Sequence, residues 1–80
     1  MKPDCETVDA TDRYIGGRLL KYRRARGLDL TSVASAGAIN PSELAAIEAG
    51  ESKVYMATLW RLCRVLQAEL EDVLPVSTLN

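Results

Sequence analysis

Apolar residues in this chain recur at helical spacing, and with the capping residues they predict five helices, no strand and no internal repeat. Ile15, Leu19 and Tyr22 form an i, i+4, i+7 stripe on a first helix that opens at Thr11 or Asp12 and runs to Arg26. Gly16 and Gly17 interrupt it at about 1 kcal/mol each relative to alanine, which implies close packing against a neighbour or a later helix start. Gly27 can take the positive φ of a residue just past a helix end. Asp29 caps a second helix over Leu30 to Ala36, with Leu30 or Val33 inward and Ala34 small enough for a close crossing. Gly37 and Ala38 make a turn, and Ile39 packs inward. Asn40, Pro41 and Glu43 read as cap, first helical residue and partner in an N-x-x-E capping box. They open a third helix that buries Leu44 and Ile47 and stops at Gly50. After a loop from Glu51 to Tyr55, a fourth helix spans about Met56 to Leu66 with Leu59, Leu62, Cys63 and Leu66 on one face. A short fifth helix covers Leu70 to Leu74 before Pro75.

Eighty residues suffice for one domain with a modest core. Residues 1–12 are expected to form a flexible N-terminal segment, 13–75 the domain and 76–80 a C-terminal tail. A charged fraction of 26% suits a folded chain rather than a disordered one. With two cysteines, no CxxC and no histidine, neither a disulfide scaffold nor a zinc site is expected. Cys63 falls in a core pattern, where a thiol acts as a small hydrophobe. No apolar stretch approaches the roughly 18 residues of a membrane span, and the N-terminus lacks a signal-peptide core, so the expected compartment is the cytoplasm.

Net charge is −1, which is unfavourable for a nucleic-acid binder taken whole. The charge is unevenly placed, however. Arg13, Arg18, Lys21, Arg23, Arg24 and Arg26 lie between Arg13 and Leu28 with no acid among them. Local potential decides where a phosphate backbone docks. The same cluster could equally be a solvated helix face. The run from Asp29 to Gly50, two short helices and a tight turn, has the arrangement of a helix-turn-helix, whose second helix enters a DNA major groove.

From Ile15 to Leu74, about three quarters of the chain, the sequence resembles the Cro/C1-type (xenobiotic-response-element) helix-turn-helix family. The match is ungapped across R-x-x-x-G-L (Arg23 to Leu28), V-A (Val33-Ala34), I-N-x-S-x-L-x-x-I-E-x-G (Ile39 to Gly50) and L-W-x-L-x-R-V-L (Leu59 to Leu66). The resemblance implies an all-α, compact five-helix lambda-repressor-like domain with its helix-turn-helix at helices 2 and 3. It implies an ion pair between Arg23 and Glu48 that ties the first helix to the recognition helix, either as scaffold alone or also setting the arginine near a phosphate. It places Pro41, Ser42, Glu43 and Ala46 where bases are read, and Arg23, Ser42, Ser52 and Lys53 where phosphates are gripped.

Departures from the family pattern are concentrated at the readers. Leu30 stands where glutamine often holds a phosphate, Pro41 and Ala46 where glutamine, arginine or lysine is common, and Glu43 turns a negative charge toward the groove. A helix without a bidentate Arg–guanine or Gln–adenine pair forgoes about 1–3 kcal/mol per contact. Shape and deformability of the DNA then carry more of the specificity. The turn glycine is also displaced: Gly37 precedes Ala38, where glycine is more usual, so the turn is expected to shift by one residue.

No nucleophile–base pair, P-loop or other catalytic constellation is present, and no cofactor or small-molecule ligand is implied. The expectation is a DNA-binding transcriptional regulator, most simply a repressor, acting as a homodimer on a near-palindromic operator, with RNA polymerase or a protein partner as further contacts. The alternative is a degenerate helix-turn-helix that serves as a protein-interaction module, a co-regulator or antitoxin-like partner. Trp60 points away from the Leu59/Leu62 stripe; burial against the first helix is the expected outcome, and a dimer anchor the other.

Overall fold

The computed structural model describes residues 8–74. It contains α1 (Ala10–Ala25), α2 (Leu30–Ala36), α3 (Pro41–Glu48), α4 (Met56–Leu66) and α5 (Leu70–Val73), with no strand among the described residues. Expectations for residues 1–7, for Pro75 and for the tail 76–80 lie outside this range. All five helices supply the core: Ile15 and Leu19 from α1, Val33 and Ala34 from α2, Leu44 and Ile47 from α3, the Leu59/Leu62/Cys63/Leu66 face of α4, and Val73. Burial of this apolar set is the main stabilising term. α1 packs on α3, α4 and α5, while α2 packs on α3 and α4.

α1 begins earlier than its sequence suggested. Asp9, not Thr11 or Asp12, is the cap. Its carboxylate accepts from the Asp12 backbone N–H at 3.0 Å, and Asp12 accepts in turn from the Asp9 N–H at 3.2 Å. This reciprocal capping box satisfies two of the orphan donors of the helix start. Of the two glycines, Gly16 is a packing residue: a Cβ there would collide with the backbone carbonyl of Ile47 in α3. Gly17 faces nothing within 4 Å.

α1, α2 and α3 all end on the same hydrogen-bonded turn. The N–H groups of Leu28, Ile39 and Glu51 reach back to the carbonyls of Arg23, Ala34 and Ala46 at 2.9–3.1 Å. Each turn needs one residue with positive φ, and these are Gly27, Ala38 and Gly50. The α2–α3 turn has therefore not shifted to suit its displaced glycine. Ala38 takes φ 63 itself, and Gly37 stays at φ −88. Gly37 serves another purpose, since a Cβ there would come within 2.8 Å of Leu62 Cδ2. Arg61 fastens the turn from the α4 side by donating to the Gly37 carbonyl at 2.8 Å.

Two further expectations are corrected. The Asn40–Glu43 capping box does not form: Asn40 makes no side-chain cap hydrogen bond. The first turn of α3 is exposed, so water can satisfy its N–H groups. Trp60 is 54% exposed and joins Met56 and Tyr55 on the surface instead of packing in the core. The faces of α4 explain this, because Leu59, Leu62, Cys63 and Leu66 already fill the interior side.

Candidate nucleic-acid interface

α3 buries Leu44 and Ile47, and helical periodicity then turns Ser42 and Ala46 to the opposite side. Pro41, Ser42 and Glu43 are exposed and Ala46 is half-buried, so all four candidate base readers lie on the α3 surface. Ala45 and Ala49, which the sequence did not single out, are exposed beside them. The resulting face is short and smooth, with Ser42 and Glu43 its only polar side chains.

Arg23 and Glu48 form the expected pair. Arg23 Nε donates to Oε2 at 2.7 Å and Nη2 to Oε1 at 3.0 Å, a bidentate geometry that fixes orientation as well as distance. Nη1 donates to the Leu28 carbonyl at 2.9 Å. Hydrogen bonding to Glu48 raises the pKa of Arg23 against the opposing effect of burial. Every guanidinium nitrogen thus has a partner inside the protein, and the pair joins the end of α1 to the end of α3.

Ser52 and Lys53 follow α3 as expected, but Lys53 is engaged. Its ammonium donates to Asp12 Oδ2 at 3.2 Å, while Asp12 Oδ1 accepts from the Val54 N–H at 3.1 Å. Asp12 is the one buried charged residue among those described. Burial opposes its ionisation, yet the hydrogen bonds from Val54, Asp9 and Lys53 outweigh burial and hold its carboxyl below the usual range. Sequence reasoning had read Asp12 as a helix cap and missed its grip on the α3–α4 loop. The D-x-x-D spacing of Asp9 and Asp12 signals the capping box alone, and no local pattern points to Lys53 or Val54. At the start of α2, Asp29 accepts from the Ser32 N–H at 3.1 Å and the Ser32 hydroxyl at 2.7 Å, so that helix start is occupied by a carboxylate. The start of α3 carries no such cap.

The basic cluster divides into two sets. Arg18 and Arg26 flank the Tyr22 ring at 5.4 and 5.0 Å from its centroid and donate to the carbonyls of Asp72 and Gln67. Together with Arg23, these two arginines are structural, binding α1 to the end of α4 and to α5. Arg13, Lys21 and Arg24 make no ion pair or side-chain hydrogen bond among the described residues.

Five helices around one core, with a tight α2–α3 turn and an exposed α3 braced from α1, define a helix-turn-helix domain. The helix-turn-helix family profile matches residues 19–73, and the chain belongs to this Cro/C1-type (XRE) family of DNA-binding transcriptional regulators. Among solved structures it is similar to the clp gene regulator ClgR from Corynebacterium glutamicum, at 28% identity and a TM-score of 0.78 over 81% of this chain and 84% of that one. It is also similar to the restriction-modification controller protein C.AhdI from Aeromonas hydrophila, at 25% identity and a TM-score of 0.76 over 81% and 98%. An HTH_3-family transcriptional regulator from Vibrio cholerae shares 32% identity at a TM-score of 0.73, over 79% of this chain and 35% of that longer one. No curated protein sequence is significantly similar to the chain.

Proposed function

We propose that this protein is a sequence-specific transcriptional regulator, acting as a repressor by occluding a promoter, and that it binds a near-palindromic operator as a homodimer. One observation carries the reading: the bidentate Arg23–Glu48 pair braces α3 from α1 while its outer face stays open. A rigid helix presented in this way can enter a major groove without reorganising. The uncapped first turn of α3 leaves backbone N–H groups for a phosphate, and Ser42 adds a hydroxyl. Ser52 is the further phosphate candidate on the α3–α4 loop; Lys53 would have to leave Asp12 to serve as one. The gene-regulatory roles in the names of the similar solved structures agree with this class. No described helix is long and apolar enough to cross a membrane, which agrees with action in the cytoplasm. No catalytic step or cofactor enters the mechanism.

Direct readout is modest in this proposal. Ser42 and Glu43 supply the polar contacts, and Pro41 and Ala46 touch thymine methyl groups. Trp60 and Met56, one helical turn apart and both exposed, supply the anchor of the dimer.

The test is binding to the chain's own upstream region and to a scrambled duplex at about 50 and about 200 mM salt. Tight, salt-dependent binding that prefers the upstream region supports the regulator. Equal weak binding, or none, supports the second reading, a helix-turn-helix that acts on a protein partner. Glu43 on the α3 face and the exposed Tyr55, Met56 and Trp60 favour that reading.

A further inference from the structure

We infer that the outer flank of α1, Arg13, Lys21 and Arg24 around Gly17, is a rail for the DNA phosphate backbone beside the recognition helix. This inference rests on the DNA-binding reading and extends it to residues outside α3 and its loops. Three observations converge on it.

The first is the distribution of unpaired cations. Arg18, Arg23, Arg26, Lys53 and Arg61 each donate to a protein acceptor. Arg13, Lys21, Arg24 and Arg64 do not, among the described residues. Three of these four share one flank of α1, because positions 13, 17, 20, 21 and 24 fall within about a third of the helix circumference at 3.6 residues per turn. That flank carries no acid.

The second is Gly17. Glycine in a helix interior is unfavourable, and here no neighbour lies within 4 Å of where its Cβ would be. Internal packing therefore does not explain it. Gly17, Leu20, Lys21, Arg24 and Ala25 instead line an open depression of about 460 Å³. A bare backbone with cations on both sides lets a sugar-phosphate strand approach closely.

The third is the position of the flank. Gly16 touches Ile47 of α3, and Arg13 lays its stem over Gly50 just past the end of α3, with its Cγ 3.0 Å from where a Gly50 Cβ would sit. The Arg13 end of the flank thus lies beside the C-terminal end of the recognition helix, and the rest follows α1 away from it. From Arg13 to Arg24 the flank runs about 16 Å, at 1.5 Å per residue. That is close to five base-pair steps measured along the axis of B-form DNA, at about 3.4 Å each. Charge complementarity fixes the occupant: a row of cations without acids suits the phosphate backbone.

The experiment titrates the full chain against an upstream-region duplex over a salt series. It compares wild type with Arg13→Gln, Lys21→Gln, Arg24→Gln, the triple variant and Arg64→Gln. Each rail substitution is expected to lower the slope of log K against log salt by about 0.9, and the triple by nearly three times that. Preference for the upstream region over a scrambled duplex stays unchanged, since phosphate contacts carry no sequence information. Arg64→Gln, off the flank, leaves the slope as it was. Gly17→Gln, a better helix former than glycine, melts at a higher temperature yet binds DNA more weakly. Wild-type binding with an unchanged slope in the triple variant, or an equal loss in Arg64→Gln, overturns the rail alone. A wild type that binds no duplex overturns both the rail and the regulatory function.

Discussion

Gly16 of α1 lies directly against the carbonyl of Ile47 in α3, so the two helices meet backbone to backbone. A side chain at position 16 would collide with the carbonyl oxygen and come within 2.9 Å of the carbonyl carbon. Neither atom can swing away as a side-chain tip would, so the helices must separate. Gly16→Ala is expected to cost about 3 kcal/mol, the upper end of ordinary overpacking. In a domain of this size that lowers the melting temperature by roughly 12 °C or more. Gly17→Ala, one residue on but facing no neighbour, should gain about 1 kcal/mol. Calorimetry on the two variants decides the matter; if they melt alike, the close α1–α3 contact is wrong.

Arg23→Ala removes the partner of Glu48, whose side chain is 7% exposed. The carboxylate left behind cannot recover full hydration, and breaking such a pair costs about 3–5 kcal/mol. Arg23→Lys restores the charge but cannot supply two parallel donors to Glu48 and a third to Leu28, so it recovers only part of the loss. Urea unfolding of both variants tests this. An Arg23→Ala protein with wild-type stability would remove the brace on which the regulatory reading depends.

The α2–α3 turn carries adjacent residues with opposite requirements. Ala38 holds φ 63, a conformation that costs an L-residue roughly 1–2 kcal/mol. Gly37 holds an ordinary φ but has no room for a Cβ beside the fully buried Leu62. Ala38→Gly is therefore expected to stabilise the protein by roughly 0.5–1 kcal/mol, after the entropy that glycine adds to the unfolded chain. Gly37→Ala should destabilise it by about 1–3 kcal/mol. Thermal melts that gave both substitutions the same sign would contradict the assigned turn.

Much of this architecture was legible because periodicity and caps agree along the chain. The α4 stripe, the Leu44/Ile47 face and the stops at Gly27 and Gly50 are all local signals. The misreadings arose where a tertiary contact decides the local choice. Leu62 keeps Gly37 bare, and the hydrogen bonds that close the turn force Ala38 to the left-handed conformation, so the motif kept its place although its glycine had moved. At the site, family spacing placed Arg23 and Glu48 correctly, since a pair between helix ends leaves fixed positions in sequence. It could not foresee that Asp12, so distant in sequence, would claim Lys53. Nor could it sort the other five cations of the basic cluster, because only the fold shows that Arg18 and Arg26 have internal partners.

The Asp12–Lys53 contact sets a pH range for stability. The folded-state pKa of Asp12 lies below its ordinary value of 3.8, so its contribution is complete above about pH 4 and is lost as pH falls through the depressed value. Lys53 behaves in the opposite sense. Its pKa is raised above 10.5 chiefly by the hydrogen bond to Asp12, so its contribution is complete below that value and is lost as pH rises through the raised one. Between these limits the contact should be insensitive to pH. Asp29, whose pKa is lowered by the Ser32 hydroxyl and N–H, adds to the acid limb from an exposed position. Asp12→Asn should therefore melt lower than wild type near neutrality and lose less stability on acidification, which leaves the two proteins closer together at about pH 3 than at about pH 6. A series of melts across that range tests the assignment. Parallel curves would mean that Asp12 is not the carboxylate that holds the α3–α4 loop in place.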